Sequence, residues 1–110
     1  MTRVMMTALA VMMCVASLGA QDAKKIAMGK DLYQKYACEK CHQIAGKGSK
    51  ISPLDGIAAK MTADEMKQWI KDPDAMTAKL AKKPAVKMKK VEMPDPEVDA
   101  IVAYLQTLKK

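Results

Sequence analysis

Cys38 and Cys41 lie three positions apart, and His42 follows at once. A single turn of chain at this spacing presents both thiols to one edge of a flat ligand and the imidazole to its centre. C-x-x-C-H is the spacing of c-type haem attachment. The thiols would form thioethers with the two vinyl groups, and a ring nitrogen of His42 would bind the iron. The rival uses of these residues want parts that the sequence does not offer. The only other cysteine is Cys14, and His42 is the only histidine. A structural zinc site wants four Cys or His ligands. A thioredoxin-like dithiol wants a strand–helix junction, and no strands are expected here. A short-loop disulfide between Cys38 and Cys41 is the plain alternative.

A six-coordinate iron needs a second axial ligand, and no further imidazole exists to supply it. A thioether or a Lys would have to supply it, and Met/His ligation raises the reduction potential. Past the first twenty residues there are six thioethers: Met28, Met61, Met66, Met76, Met88 and Met93. Four of them fall on or beside expected helices, where core packing is the usual role. Met88 and Met93 remain. Met93 lies two residues before the start of the last helix and suits a hydrophobic staple. Met88 sits mid-way along an irregular segment, which can lay a side chain across an open haem face.

The elements that must position these residues are helical. Residues 22–40 read as a helix, with Ile26, Gly29, Tyr33 and Tyr36 or Ala37 at helical spacing. Gly29 would let another helix approach closely. Residues 43–56 hold Gly46, Gly48, Ser49, Ser52, Pro53 and Gly56 and read as a loop. Thr62 to Glu65 forms a capping box, followed by a helix with Met66, Trp69 and Ile70 on one face and Pro73 as its limit. Residues 74–83 read as a short helix with Met76 and Leu80 inward, closed by Pro84. Asp95 then reads as an N-cap with Pro96 at the first helical position. Val98, Ile101, Val102, Leu105 and Leu108 form the apolar stripe of that last helix, with Tyr104 alongside. The fold class expected is all-α, with about four helices and no strands.

The first twenty residues differ from the rest. Arg3 precedes an apolar run over residues 4–18, and Ser17, Gly19 and Ala20 are small. That is the order of a secretory signal peptide, with cleavage after Gly19 or Ala20, so export is expected. The run is short for a membrane span, which takes roughly 20 apolar residues. Residues 21–110 then form one domain. That domain has no Phe and a single Trp, a modest core that wants a staple such as a cofactor. The apoprotein is accordingly expected to fold poorly. Beyond residue 20 all basic residues are Lys, 18 against 12 acidic residues. Nothing resembles a nucleic-acid recognition motif, so acidic proteins or a membrane complex are the expected partners. Lys79, Lys82, Lys83, Lys87, Lys89 and Lys90 fall within twelve residues without an acid among them. They read as a positive collar that steers the protein onto redox partners.

Together these residues resemble the class I cytochromes c of the short, single-haem, bacterial periplasmic kind, from about residue 23 to the C-terminus. In that family a helix carrying a Gly and an aromatic leads into C-x-x-C-H, as Gly29 and Tyr33 lead into Cys38, Cys41 and His42. A Pro-containing loop follows, similar to residues 52–56, and the resemblance implies that the Pro53 carbonyl accepts the His42 N–H. The axial Met often sits in a Pro-x-x-Lys-Met context, as in Pro84 to Met88. It precedes an aromatic of the last helix by about sixteen positions, matching Met88 and Tyr104 and not Met93. Trp69 would line the haem pocket. The resemblance thus implies a cytochrome c-like fold around one covalently attached haem c, bound by Cys38, Cys41, His42 and Met88, with His42 and Met88 on the iron. The function it implies is a periplasmic single-electron carrier and not an enzyme, serving an acidic oxidase, reductase or dehydrogenase. Two alternatives stand beside it: a cytochrome subunit of a periplasmic dehydrogenase or sulfur-oxidising complex, and a five-coordinate haem enzyme or gas sensor.

Overall fold

The structure is a computed structural model that describes the backbone of residues 7–110 and side chains from Asp22 onward. The side chains of the leader expected over residues 1–20 lie outside the described residues. Five α-helices are described: α1 (Thr7–Lys35), α2 (Ile57–Lys60), α3 (Ala63–Lys71), α4 (Pro73–Ala78) and α5 (Asp95–Leu105). A 3-10 turn, Cys38–Lys40, follows α1. Three short strands come next: β1 (His42–Ile44), β2 (Lys47–Gly48) and β3 (Ser52–Pro53). No helix among the described residues is long and apolar enough to cross a membrane.

The fold is mostly helical, as the periodicity indicates, but the expectation of no strands is corrected. The sheet runs β2-β1-β3, antiparallel on one side of β1 and parallel on the other. Its cause is the need of covered backbone groups for partners. Ala45 and Gly46, both at positive φ (51° and 81°), make a two-residue hairpin turn, and Asp55 Oδ1 accepts the Ala45 N–H at 2.9 Å. Strands this short carry no period-two pattern, so the turn residues were their only sequence signal.

The core lies where α1 and α3 pack on α5. Leu32, Met66, Ile70, Val98, Ala100, Ile101, Val102 and Leu105 form its buried cluster. Gly29 sits at the α1–α5 crossing: a Cβ there would collide with the Ala100 carbonyl and come within 2.9 Å of Tyr104 Cβ. One turn on, Tyr33 meets Tyr104 edge to face, with ring centroids 6.0 Å apart. Tyr36 donates to Glu97 Oε1 at 2.9 Å and closes the same seam.

The bounds of α1, α4 and α5 differ from expectation; α1 already begins at Thr7, and α5 ends at Leu105, short of Leu108. The first helix stops at Lys35, not residue 40, because Ala37 takes a left-handed conformation (φ 55°) that breaks the α ladder. The short fourth helix is Pro73–Ala78, capped by Asp72 through the Ala75 N–H, and leaves Leu80 38 % exposed instead of inward. The last helix is capped one residue early. Pro94 is its N-cap and its carbonyl accepts from Glu97 and Val98, so Asp95 is inside the helix and bonds Lys71 Nζ at 2.8 Å instead. The capping box on α3 is as read: Thr62 Oγ1 accepts the Glu65 N–H and Glu65 Oε1 accepts the Thr62 N–H.

Candidate functional site

The break at Ala37 turns the chain sharply out of α1 and puts both cysteines on one short turn. Lys40 N–H bonds the Ala37 carbonyl at 3.1 Å and Cys41 N–H bonds the Cys38 carbonyl at 3.2 Å. Cys38 is half-buried and Cys41 exposed, and both are free thiols. Burial pushes the Cys38 thiol up.

His42 follows as the first residue of β1 and is gripped on every side. Ser49 N–H donates to its carbonyl at 3.0 Å, and also to that of Glu39. The Ser52 N–H bonds the Cys41 carbonyl at 3.0 Å, and the Leu54 N–H bonds that of Gln43 at 2.8 Å. Gly48 makes this closure sterically feasible. Its φ is 102°, and a Cβ there would strike the His42 carbonyl.

The ring itself is held by Nδ1, 3.0 Å from the Ser52 carbonyl oxygen. A carbonyl only accepts, so Nδ1 carries the proton and Nε2 presents a lone pair. A metal-binding His is normally held in this way, which fixes ring orientation and tautomer. The acceptor expected from the resemblance was the Pro53 carbonyl; the structure corrects it by one residue. The reason is register: β1 pairs His42 with Ser52 and Gln43 with Pro53.

Met88 and Met93 are both half-buried, and both pack against the core cluster, as do Ile44, Leu54, Ile57 and Met61 beside the motif. Met93 occupies the position before the Pro94 cap, five residues ahead of Val98, where a staple belongs. Trp69 is half-buried on α3. The structure therefore joins Cys38, Cys41 and His42 in one turn and packs Met88 against the α1–α3–α5 core.

Two buried hydroxyls, Tyr33 Oη and Thr77 Oγ1, have no hydrogen-bond partner among the described residues. Leaving such a group unpaired costs about 1–3 kcal/mol. Burial, and after it the neighbouring Cys38, push the Tyr33 phenol well above its ordinary range. The sequence shows Tyr33 at helical spacing in the first helix and does not single out Thr77; only their place in the fold marks them as unpaired. Their state suits residues whose partner is not protein. Together with two free thiols and a presented imidazole nitrogen, they fit a covalently held haem.

The comparison with known families agrees. Residues 26–109 match Cytochrome c, which is most of the chain, so this protein belongs to the cytochrome c family. Members of that family bind covalently attached haem c with its iron and serve haem-based electron transfer. Searches among curated proteins and among solved structures gave no match.

Proposed function

We propose that this chain is a periplasmic carrier of single electrons, with haem c attached at Cys38 and Cys41 and its iron held between His42 and Met88. The observation that carries the reading is the bond from His42 Nδ1 to the Ser52 carbonyl, which leaves Nε2 as the ring nitrogen available to bind iron. The bound haem would supply the ferric–ferrous couple. The protein's own part is to hold His42 rigid and seat Met88 against the core. If both side chains bind the iron, it would have no open position for a substrate, and the protein would act as a carrier and not as an enzyme. The leader pattern of residues 1–20 supports the periplasmic location.

The basic segment supports docking on acidic redox partners. Lys79, Lys82, Lys87 and Lys89 are exposed there, and two apolar side chains stand among them, Leu80 (38 % exposed) and Val86 (51 %). An apolar centre with a charged rim is the usual anatomy of a protein interface. Electron-transfer rates that fall as salt rises are expected.

One optical experiment tests the reading. The exported protein should show a c-type spectrum that interconverts on oxidation and reduction and stays with the polypeptide through acid–acetone extraction. The reduced protein should not bind carbon monoxide. Ready binding of carbon monoxide would show an open axial position and defeat the carrier reading.

A further inference from the structure

Residues 81–93 join α4 to α5 and carry both Met88 and Met93. No helix or strand includes them, and among the described residues their backbone makes no backbone–backbone hydrogen bond. The Lys90–Glu92 ion pair, at 3.4 Å, lies within the segment and ties it to nothing else.

Lys83 behaves differently. Its Nζ donates to the carbonyl oxygens of Thr77, Ala78 and Leu80 at 3.0, 2.8 and 3.0 Å. An ammonium has three protons, and each finds an acceptor here. The Thr77 and Ala78 carbonyls end α4; that of Thr77 also accepts the Leu80 N–H at 3.1 Å, and that of Ala78 accepts no backbone N–H among the described residues, so a cation is well placed among them. These are the only hydrogen bonds among the described residues that join residues 81–93 to the rest of the chain. Pro84 follows, and its ring fixes φ, so the anchor passes through a stiff joint toward Met88. Without it, thirteen residues of irregular chain would be held by the packing of Met88 and Met93 alone.

We infer that Lys83 is a positioning residue for Met88, set apart from the neighbouring lysines that face a partner. It clamps the start of the Met88 segment to the end of α4 and so lowers the entropy of the chain that must present the thioether. The inference rests on Met88 as the sixth ligand.

The test uses the ferric holoprotein and reads two quantities, the far-red sulfur-to-iron charge-transfer band and the reduction potential. Lys83→Met should lose the band at a lower temperature than wild type while the far-ultraviolet helical signal persists, and should show a lower potential. Lys83→Arg should restore both, and Lys82→Met should match wild type. A Lys83→Met protein with the wild-type band, melting behaviour and potential overturns the clamp. Met88→Ala separates the two claims: if it keeps the band, the ligand assignment fails and the clamp with it. If it loses the band while Lys83→Met is unchanged, only the clamp fails. Should Lys83→Met give no soluble holoprotein, Lys83→Gln, which keeps the stem and one donor group, is held to the same outcomes.

Discussion

His42 Nδ1 and the Ser52 carbonyl oxygen are 3.0 Å apart, a side chain held by main chain across a parallel strand pair. The Ser52 side chain takes no part in that bond. Ser52→Ala should therefore leave the spectrum unchanged and alter stability by no more than about 0.5 kcal/mol. Gly48→Ala should do the opposite, since it forces a positive φ on Ala and drives a methyl into the His42 carbonyl. Its cost should exceed about 1 kcal/mol, with a visible change in the haem spectrum. Urea melts and spectra of the two variants check both halves.

Gly29 sets how closely α1 and α5 approach. Ala is the better helix former by about 1 kcal/mol, but its methyl would meet the Ala100 carbonyl. Overpacking of this kind costs about 1–3 kcal/mol, and backbone on the facing helix cannot move aside as a side chain can. Gly29→Ala should lower the urea midpoint of the holoprotein. A midpoint raised by the substitution would show that the crossing is looser than described.

Tyr33 and Tyr36 give the fold an alkaline limit. Burial raises the Tyr33 phenol, and the bond to Glu97 raises that of Tyr36, both from an ordinary value near 10. A phenol whose folded pKa is raised binds its proton more tightly in the native state. The stability it contributes is complete below pH 10 and declines as pH rises through the folded values. Unfolding free energies measured from pH 8 to 12 should fall above pH 10. Tyr36→Phe should flatten part of that fall, and a slope unchanged by the substitution would assign it elsewhere.

Asp99 acts at the other end of the scale. Its hydrogen bond to Lys67, at 3.0 Å, holds the carboxyl below its ordinary value of 3.8. A depressed carboxyl stabilises the fold above that value, and the contribution is lost as pH falls through the folded pKa. Asp99→Asn should therefore flatten the acid limb below about pH 4 and leave neutral stability nearly unchanged, because exposed pairs are worth little and are screened by salt. Acid titrations in low and high salt, compared between the two proteins, give the answer.

The capping box, the Gly29 crossing and the α5 stripe were legible because each rests on local spacing. The haem-binding turn was legible for the same reason, since its thiols and imidazole are contiguous. What sequence missed depends on long-range register. Ser52 and not Pro53 holds His42 because β1 pairs with β3 at that offset, and no pattern in five residues encodes an offset. Leu80 was expected inward because helical spacing was extended past Ala78, where Lys83 caps the helix. Lys83 itself was one of six similar lysines until its three acceptors distinguished it.

With haem bound, His42 and Met88 would both hold its iron, and the far-red sulfur-to-iron band of the ferric protein reports the Met88 bond. Met88→Ala should abolish the band and lower the reduction potential, while Met93→Ala should keep the band and cost stability through the lost packing at the α5 start. A Met88→Ala protein that retains the band, with Met93→Ala losing it, would contradict the account.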